Sequence, residues 1–163
     1  MNEENMGDVK INKIAKPSSV YFEMFLGTLN ILVSTIVLLF SGIVQIFREE
    51  LTQLIGTQFT LDFKNLIIIN IPILVFGILL HIYSLERVAN KKYKLYGFFI
   101  FLLGFVMTGL ITFLIVKYSL NWFGVSLFGK TSIGLNKLFY FPSIAYIAYS
   151  LIIIYYSIGL MRR

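Results

Sequence analysis

Four long apolar runs dominate the pattern of hydrophobic and polar positions along the chain. They cover residues 22–47, 66–83, 96–116 and 138–160. Each run is close to or above the roughly 20 residues that a helix needs to cross the hydrocarbon core of a bilayer. A backbone at that depth must satisfy its own hydrogen bonds, and none of the runs alternates as a barrel strand would. The pattern therefore predicts four transmembrane helices.

Two shorter apolar stretches lie between these runs. Residues 48–55 place apolar side chains at helical spacing before Gly56, which is a helix stop signal. Residues 119–128 are also rich in apolar side chains and precede Gly129, and we expect Trp122 to lie there at headgroup depth. Both stretches are interpreted as short elements in the membrane interface. A lid or a partner-docking surface is the alternative.

The composition favours a membrane protein over a soluble domain. Hydrophobic residues make up 58% of the 163 residues and charged residues 13%, compared with about 45–50% and about 25% in soluble domains. The chain has no cysteine, which excludes disulfides, thiolate catalysis and cysteine-ligated metals. The single histidine, His81, excludes an all-histidine metal site or His-pair haem ligation within one chain. We therefore expect no cofactor and no metal.

The basic residues predict the topology. Nine of the 14 Lys and Arg residues lie in the N-terminal tail, between the second and third runs, and at the C-terminus. The positive-inside rule then places both termini in the cytoplasm, in a multi-pass protein of the cell membrane. Residues 1–20 are predicted to be a flexible cytoplasmic tail and residues 21–163 a transmembrane domain. Because flanking residues account for the net charge of +6, we expect no nucleic-acid partner.

Each run carries a row of small and weakly polar residues, which we call the polar stripe. Its members are Gly27, Asn30, Ser34, Ser41, Gln45, Asn70, Gly77, His81, Gly97, Gly104, Thr108, Thr112, Ser143, Tyr146, Ser150 and Ser157. Spacings of seven and four dominate, and the five members in the first run fall within about 60° at 100° per residue. Such a seam is typical of left-handed, near-antiparallel packing. The sequence thus predicts an all-α integral membrane protein with a bundle of four transmembrane helices.

The polar stripe has two interpretations. Small residues let helix backbones approach closely, and weakly polar ones hydrogen-bond across the contact, so helix packing is favoured. The alternative is a polar path or a headgroup-sized cavity, although four helices at normal distances leave little room for a pore. On the opposite faces, we expect Phe101 and Ile153 to contact lipid. Pro72 is expected to kink or loosen the second helix.

Ionisable residues are scarce inside the runs. The eight acidic residues lie outside the middle of every run, and the nearest, Glu23, is at the edge of the first. His81 is the single candidate base and lies near the cytoplasmic end of its run. Since charged groups at membrane depth usually mark transport or catalysis, we predict no catalytic site and no enzyme.

A basic loop after the second run is the remaining candidate site. Arg87, Lys91, Lys92 and Lys94 are candidate contacts for anionic lipid or for the acidic face of a partner. The alternative is a solvated loop that simply follows the positive-inside rule.

These observations favour a non-enzymatic function. The leading hypothesis is an integral membrane accessory or structural subunit that acts through helix–helix association. Its partners are then the lipid bilayer and other membrane protein chains, or further copies of itself. A small channel or transporter unit that functions as an oligomer is the alternative, and a membrane effector or immunity protein is a weaker one.

Overall fold

The computed structural model is all-helical and describes residues 17–56, 62–89, 92–129 and 137–162. Its helices are α1 (Pro17–Ile46), α2 (Arg48–Ile55), α3 (Phe63–Val88), α4 (Tyr93–Tyr118), α5 (Trp122–Phe128) and α6 (Tyr140–Arg162), and a 3-10 turn (Lys137–Phe139) precedes α6. The helices α1, α3, α4 and α6 are long and apolar enough to span a membrane. The prediction of four such helices is confirmed.

Three of the long helices, α1, α3 and α4, begin earlier than their apolar runs, whereas α6 begins two residues later than its run. Pro17 opens α1, so the last four residues of the predicted tail are helical, and residues 1–16 lie outside the described part. Proline suits a first helical position because its missing N–H would have no partner there. Asp62 starts α3 at Phe63, because its carboxylate accepts a hydrogen bond from the Asn65 backbone N–H. The helix α3 then continues through Pro72 to Val88.

The two short helices lie where the interfacial elements were predicted. The helix α2 ends at Gly56, whose φ of 70° is the left-handed conformation that glycine adopts without strain. None of the residues of α2 is buried. The helix α5 is different, because Trp122 is only 3% exposed and belongs to the apolar core. The Trp122 side chain is thus buried within the protein at the start of α5, and its predicted headgroup depth stays a prediction.

Neighbouring long helices run in opposite directions. The helix α1 packs on α3, α3 on α4, and α4 on α6. The apolar core lies mainly on α3, α4 and α6, and it includes Phe76, Ile100, Met107 and Ile153. Ile153 is 1% exposed, so its predicted lipid contact is wrong. It lies three residues after Ser150 on the same face of α6, and residues three apart are neighbours on a helix surface.

The first helix is the most peripheral of the four. In its most apolar window only 22% of the residues are buried, compared with 44% in α3. Its extensive contacts are with α3. The long Tyr149 side chain of α6 also reaches α1, where it hydrogen-bonds to Asn30.

Candidate functional site

Most of the polar stripe lies between helices. The buried members are Gly27, Asn30, Ser34, Ser41, Asn70, Gly77, Gly97, Gly104, Ser143, Tyr146, Ser150 and Ser157, and His81 and Thr108 are half-buried. Gln45 and Thr112 depart from the prediction because both are exposed. Asn70 of α3 lies opposite Ser34 of the antiparallel helix α1. Gln45 comes eleven residues after Ser34, but α3 begins only seven residues before Asn70, so Gln45 lies beyond the start of α3. The Thr112 hydroxyl instead donates to the Thr108 carbonyl of its own helix.

The contact between α1 and α3 begins with a buried ion pair. Arg87 Nη1 donates to Glu23 Oε1 at 2.7 Å, and the Glu23 side chain is fully buried. The Ser84 hydroxyl donates to the other carboxylate oxygen at 3.4 Å. Glu23 lies in the second turn of α1, about 10 Å along the axis from Asn30 near its middle. Glu23 therefore lies near the start of α1, at the edge of the apolar run, and its side chain is buried against α3.

Between the ion pair and the middles of the two helices, α1 and α3 approach each other closely. A Cβ added at Gly77 would lie 2.8 Å from the Gly27 carbonyl oxygen. One added at Gly27 would lie 3.0 Å from both the Gly77 carbonyl oxygen and a ring carbon of His81. The His81 ring hydrogen-bonds to the Thr28 hydroxyl at 3.1 Å. His81 thus packs against α1 and contributes to the contact between α1 and α3.

Side-chain amides and tyrosine hydroxyls connect three helices near their middles. The Tyr149 hydroxyl of α6 donates to Asn30 Oδ1 of α1. Asn70 Nδ2 of α3 donates to the Ser34 carbonyl at 2.7 Å, whereas the buried Ser34 hydroxyl has no hydrogen-bond partner. The Tyr146 hydroxyl donates to the Ile69 carbonyl at 3.0 Å. Such bonds across helices avoid polar groups that hydrocarbon would leave unsatisfied.

The contact between α4 and α6 uses smaller side chains. The Thr108 hydroxyl lies 3.2 Å from the Ser150 hydroxyl, and Ser150 also donates to the Ile147 carbonyl of its own helix. A Cβ added at Gly104 would lie 2.6 Å from Ile154 Cγ1 and 3.3 Å from the Ile154 backbone nitrogen. Small residues therefore set the distance between these two helices.

The fold places the basic residues of the loop between α3 and α4 in different environments. Arg87 donates from Nη1 to the buried Glu23 carboxylate, and 13% of its side chain is exposed, so its predicted contact with anionic lipid stays a prediction. Lys92 and Lys94 are exposed at the start of α4, and Lys91 lies outside the described residues. Across the ranges described, no three His, Asp or Glu side chains are grouped to hold a metal ion.

Two polar contacts escaped the sequence analysis. The Glu23–Arg87 pair had a detectable signal, since Glu23 precedes Asn30 by seven residues and so shares the face of the polar stripe. The Tyr149–Asn30 bond had none, because α6 carries several tyrosines and their periodicity does not identify the one that reaches α1.

The fold and the polar contacts between its helices define the class of protein. The described part of the chain is all-helical, with four helices long and apolar enough to span a membrane, and buried hydrogen bonds and the buried Glu23–Arg87 ion pair join them. No protein-family model matches the chain, and neither a curated protein nor a solved structure is significantly similar to it.

Proposed function

We propose that this chain is a multi-pass membrane protein that acts as a non-catalytic accessory or structural subunit, by association of its helices with other helices in the bilayer. Its four long helices form a bundle, and both termini lie in the cytoplasm. The alternation of helix directions supports both termini being on the same side, and the basic residues support that side being the cytoplasm.

One observation carries the proposal: most polar side chains between the helices bond to other helices of the same chain. Asn70 bonds to α1, and Tyr146 bonds to α3. A transport path needs polar groups that face a shared open space, whereas groups with partners in neighbouring helices hold the helices together. With the bilayer centred on the middle of α1, Glu23 lies about 13 Å from the centre, within the hydrocarbon half-thickness of about 15 Å, and its charge is balanced by Arg87.

The exposed flank of α1 is the surface we assign to association. Thr28, Thr35 and Gly42 recur every seven residues and fall within about 40° of one another. Thr28 and Thr35 are exposed, and a Cβ added at Gly42 would meet nothing within 4 Å. Small residues on a lipid-facing flank allow another helix to approach closely. The partner is a transmembrane helix of another chain or of a second copy.

Cross-linking in the native membrane tests this proposal. Because the chain has no cysteine, a single cysteine can carry a benzophenone probe at a chosen position. We expect Thr35→Cys and Gly42→Cys to give one adduct of discrete mass, and Val106→Cys, on the exposed face of α4, to give none. Repeating the experiment in vesicles that contain this chain alone identifies self-association. Absence of an adduct at Thr35, or the same adduct at Val106, would contradict the proposal.

Conductance separates the subunit from the oligomeric channel or transporter. The purified chain in a planar bilayer should pass no current above background, and vesicles with a pH gradient should show no protein-dependent proton flux. A saturable proton flux would mean that the residues of the polar stripe can line a path across the membrane, and it would favour the channel or transporter.

A further inference from the structure

The short helix α5 buries polar atoms that have no partners. Asn121 Oδ1, Trp122 Nε1 and Ser126 Oγ are all inaccessible to solvent and make no hydrogen bond. The three residues are 5%, 3% and 1% exposed. A buried donor or acceptor without a partner loses the hydrogen bonds that water would offer it. Three such atoms within six consecutive residues mean that the docked position of α5 is opposed by its own polar groups.

The segment is flanked by two residues of unusual backbone conformation. Ser119 has φ 70° and ψ −178°, and Gly129 has φ 72° and ψ 174°. This region of φ and ψ is populated almost exclusively by glycine, because a Cβ clashes with the backbone there. Gly129 adopts it without strain, whereas Ser119 is strained. The strain is relieved when the backbone at Ser119 rotates, which changes the direction of α5.

Docking of α5 depends on a small set of contacts. The Asp62 backbone N–H donates to the Ser126 carbonyl, which joins α5 to the start of α3. The Ser143 hydroxyl of α6 donates to the Leu120 carbonyl at 2.5 Å. The ring of Phe139 contacts Phe123 and Phe128, with centroids 6.4 Å and 5.6 Å away. These contacts hold the segment against the strain and the unpaired atoms.

We infer that α5 is a hinged lid over the ends of α3, α4 and α6, seen here closed. It turns about Ser119 and Gly129. Opening brings water to Asn121, Trp122 and Ser126, and closing returns their apolar neighbours to the core. Strain at Ser119 and three unpaired polar atoms favour opening, whereas aromatic burial and two hydrogen bonds favour closing. A change in any one of them therefore shifts the ratio of open to closed forms.

The single tryptophan reports directly on this motion. Trp122 is the one tryptophan of the chain, so its fluorescence follows the lid without labelling. The full chain is placed in lipid nanodiscs, where both faces are accessible, and quenched with acrylamide. Ser126→Ala removes an unpaired hydroxyl, and Ser119→Gly removes the strain. Each should lower the quenching constant about threefold or more.

Opposite changes should open the lid. Ser143→Ala removes a hydrogen bond that closes it, and Gly129→Ala introduces strain at a positive φ. Each should raise the quenching constant about threefold or more. Ser157→Ala and Gly109→Ala are matched controls, because Ser157 bonds within α6 and a Cβ at Gly109 meets nothing within 4 Å. Both controls should quench like the wild type.

Ser126→Ala is the deciding closing variant, because it introduces neither strain nor a new buried polar group. Ser119→Gly relieves the strain but also removes the hydroxyl oxygen that accepts a 3.4 Å hydrogen bond from the Asn121 backbone N–H. If Ser126→Ala and Ser119→Gly leave the quenching constant unchanged or raise it, the lid is excluded. A second readout uses Ser126→Cys, whose reaction with a soluble maleimide should become slower when Ser119→Gly is added. Equal rates with and without Ser119→Gly would likewise exclude the lid.

Discussion

The guanidinium of Arg87 lies 2.7 Å from the carboxylate of Glu23 and joins the end of α3 to the start of α1. The carboxylate is fully buried, whereas 13% of the Arg87 side chain is exposed. This asymmetry has consequences for stability. A buried carboxylate that loses its cation cannot reach water, but an arginine near a helix end can extend toward the surface.

We therefore expect Arg87→Gln to be more damaging than Glu23→Gln. Breaking a buried pair by removal of one partner typically costs about 3–5 kcal/mol, and the loss should approach this range for Arg87→Gln only. The measurement is the free energy of unfolding in mild detergent. Arg87→Lys is the matched control, since it keeps the charge. The double variant Glu23→Gln/Arg87→Gln should lose less free energy of unfolding than the sum of the two single losses. If the two losses simply added, the two residues would not be coupled.

The close approach of α1 and α3 predicts a contrast between glycines. Gly77→Ala places a Cβ 2.8 Å from the Gly27 carbonyl oxygen, which is backbone and cannot move alone. The loss of stability should be about 1–3 kcal/mol, the usual range for overpacking. Gly109→Ala should be neutral or slightly stabilising, because its Cβ meets nothing within 4 Å. Thermal aggregation in detergent is the measurement, and equal shifts for both variants would contradict the packing.

Ser150 predicts that steric fit outweighs polarity between α4 and α6. It is fully buried and 3.2 Å from the Thr108 hydroxyl. Ser150→Ala should cost only about 0.6 kcal/mol, the average for a hydrogen bond between membrane helices, whereas Ser150→Leu should cost about 1–3 kcal/mol. Ala148→Leu makes the same increase in size on the exposed side of α6 and should be nearly silent. Similar melting temperatures for Ser150→Leu and Ala148→Leu would refute this account.

The topology is testable with single cysteines at exposed positions. Lys92 directly precedes α4, at one end of the four long helices. Gln53 lies on α2, at the other end of these helices. With both termini in the cytoplasm, Gln53→Cys should react with an impermeant maleimide in intact cells. Lys92→Cys should react only after the membrane is permeabilised. The reverse labelling pattern would invert the assignment.

The sequence by itself determined the elements. Apolar runs long enough to cross a bilayer predicted the four long helices, and a short amphipathic stretch before Gly56 predicted α2. These features could be predicted because helix length, periodicity and a glycine stop are local properties of the chain. The polar stripe could be predicted for the same reason, since one helix face is defined by spacing alone.

Only the tertiary structure decided which side chains meet. It paired Glu23 with Arg87 and Asn30 with Tyr149, buried the Trp122 side chain in the apolar core, and left Gln45 exposed. The partners in each pair are 64 and 119 residues apart in the chain. No local pattern specifies such a pairing, because it depends on the relative register of helices that contact one another only after they have packed.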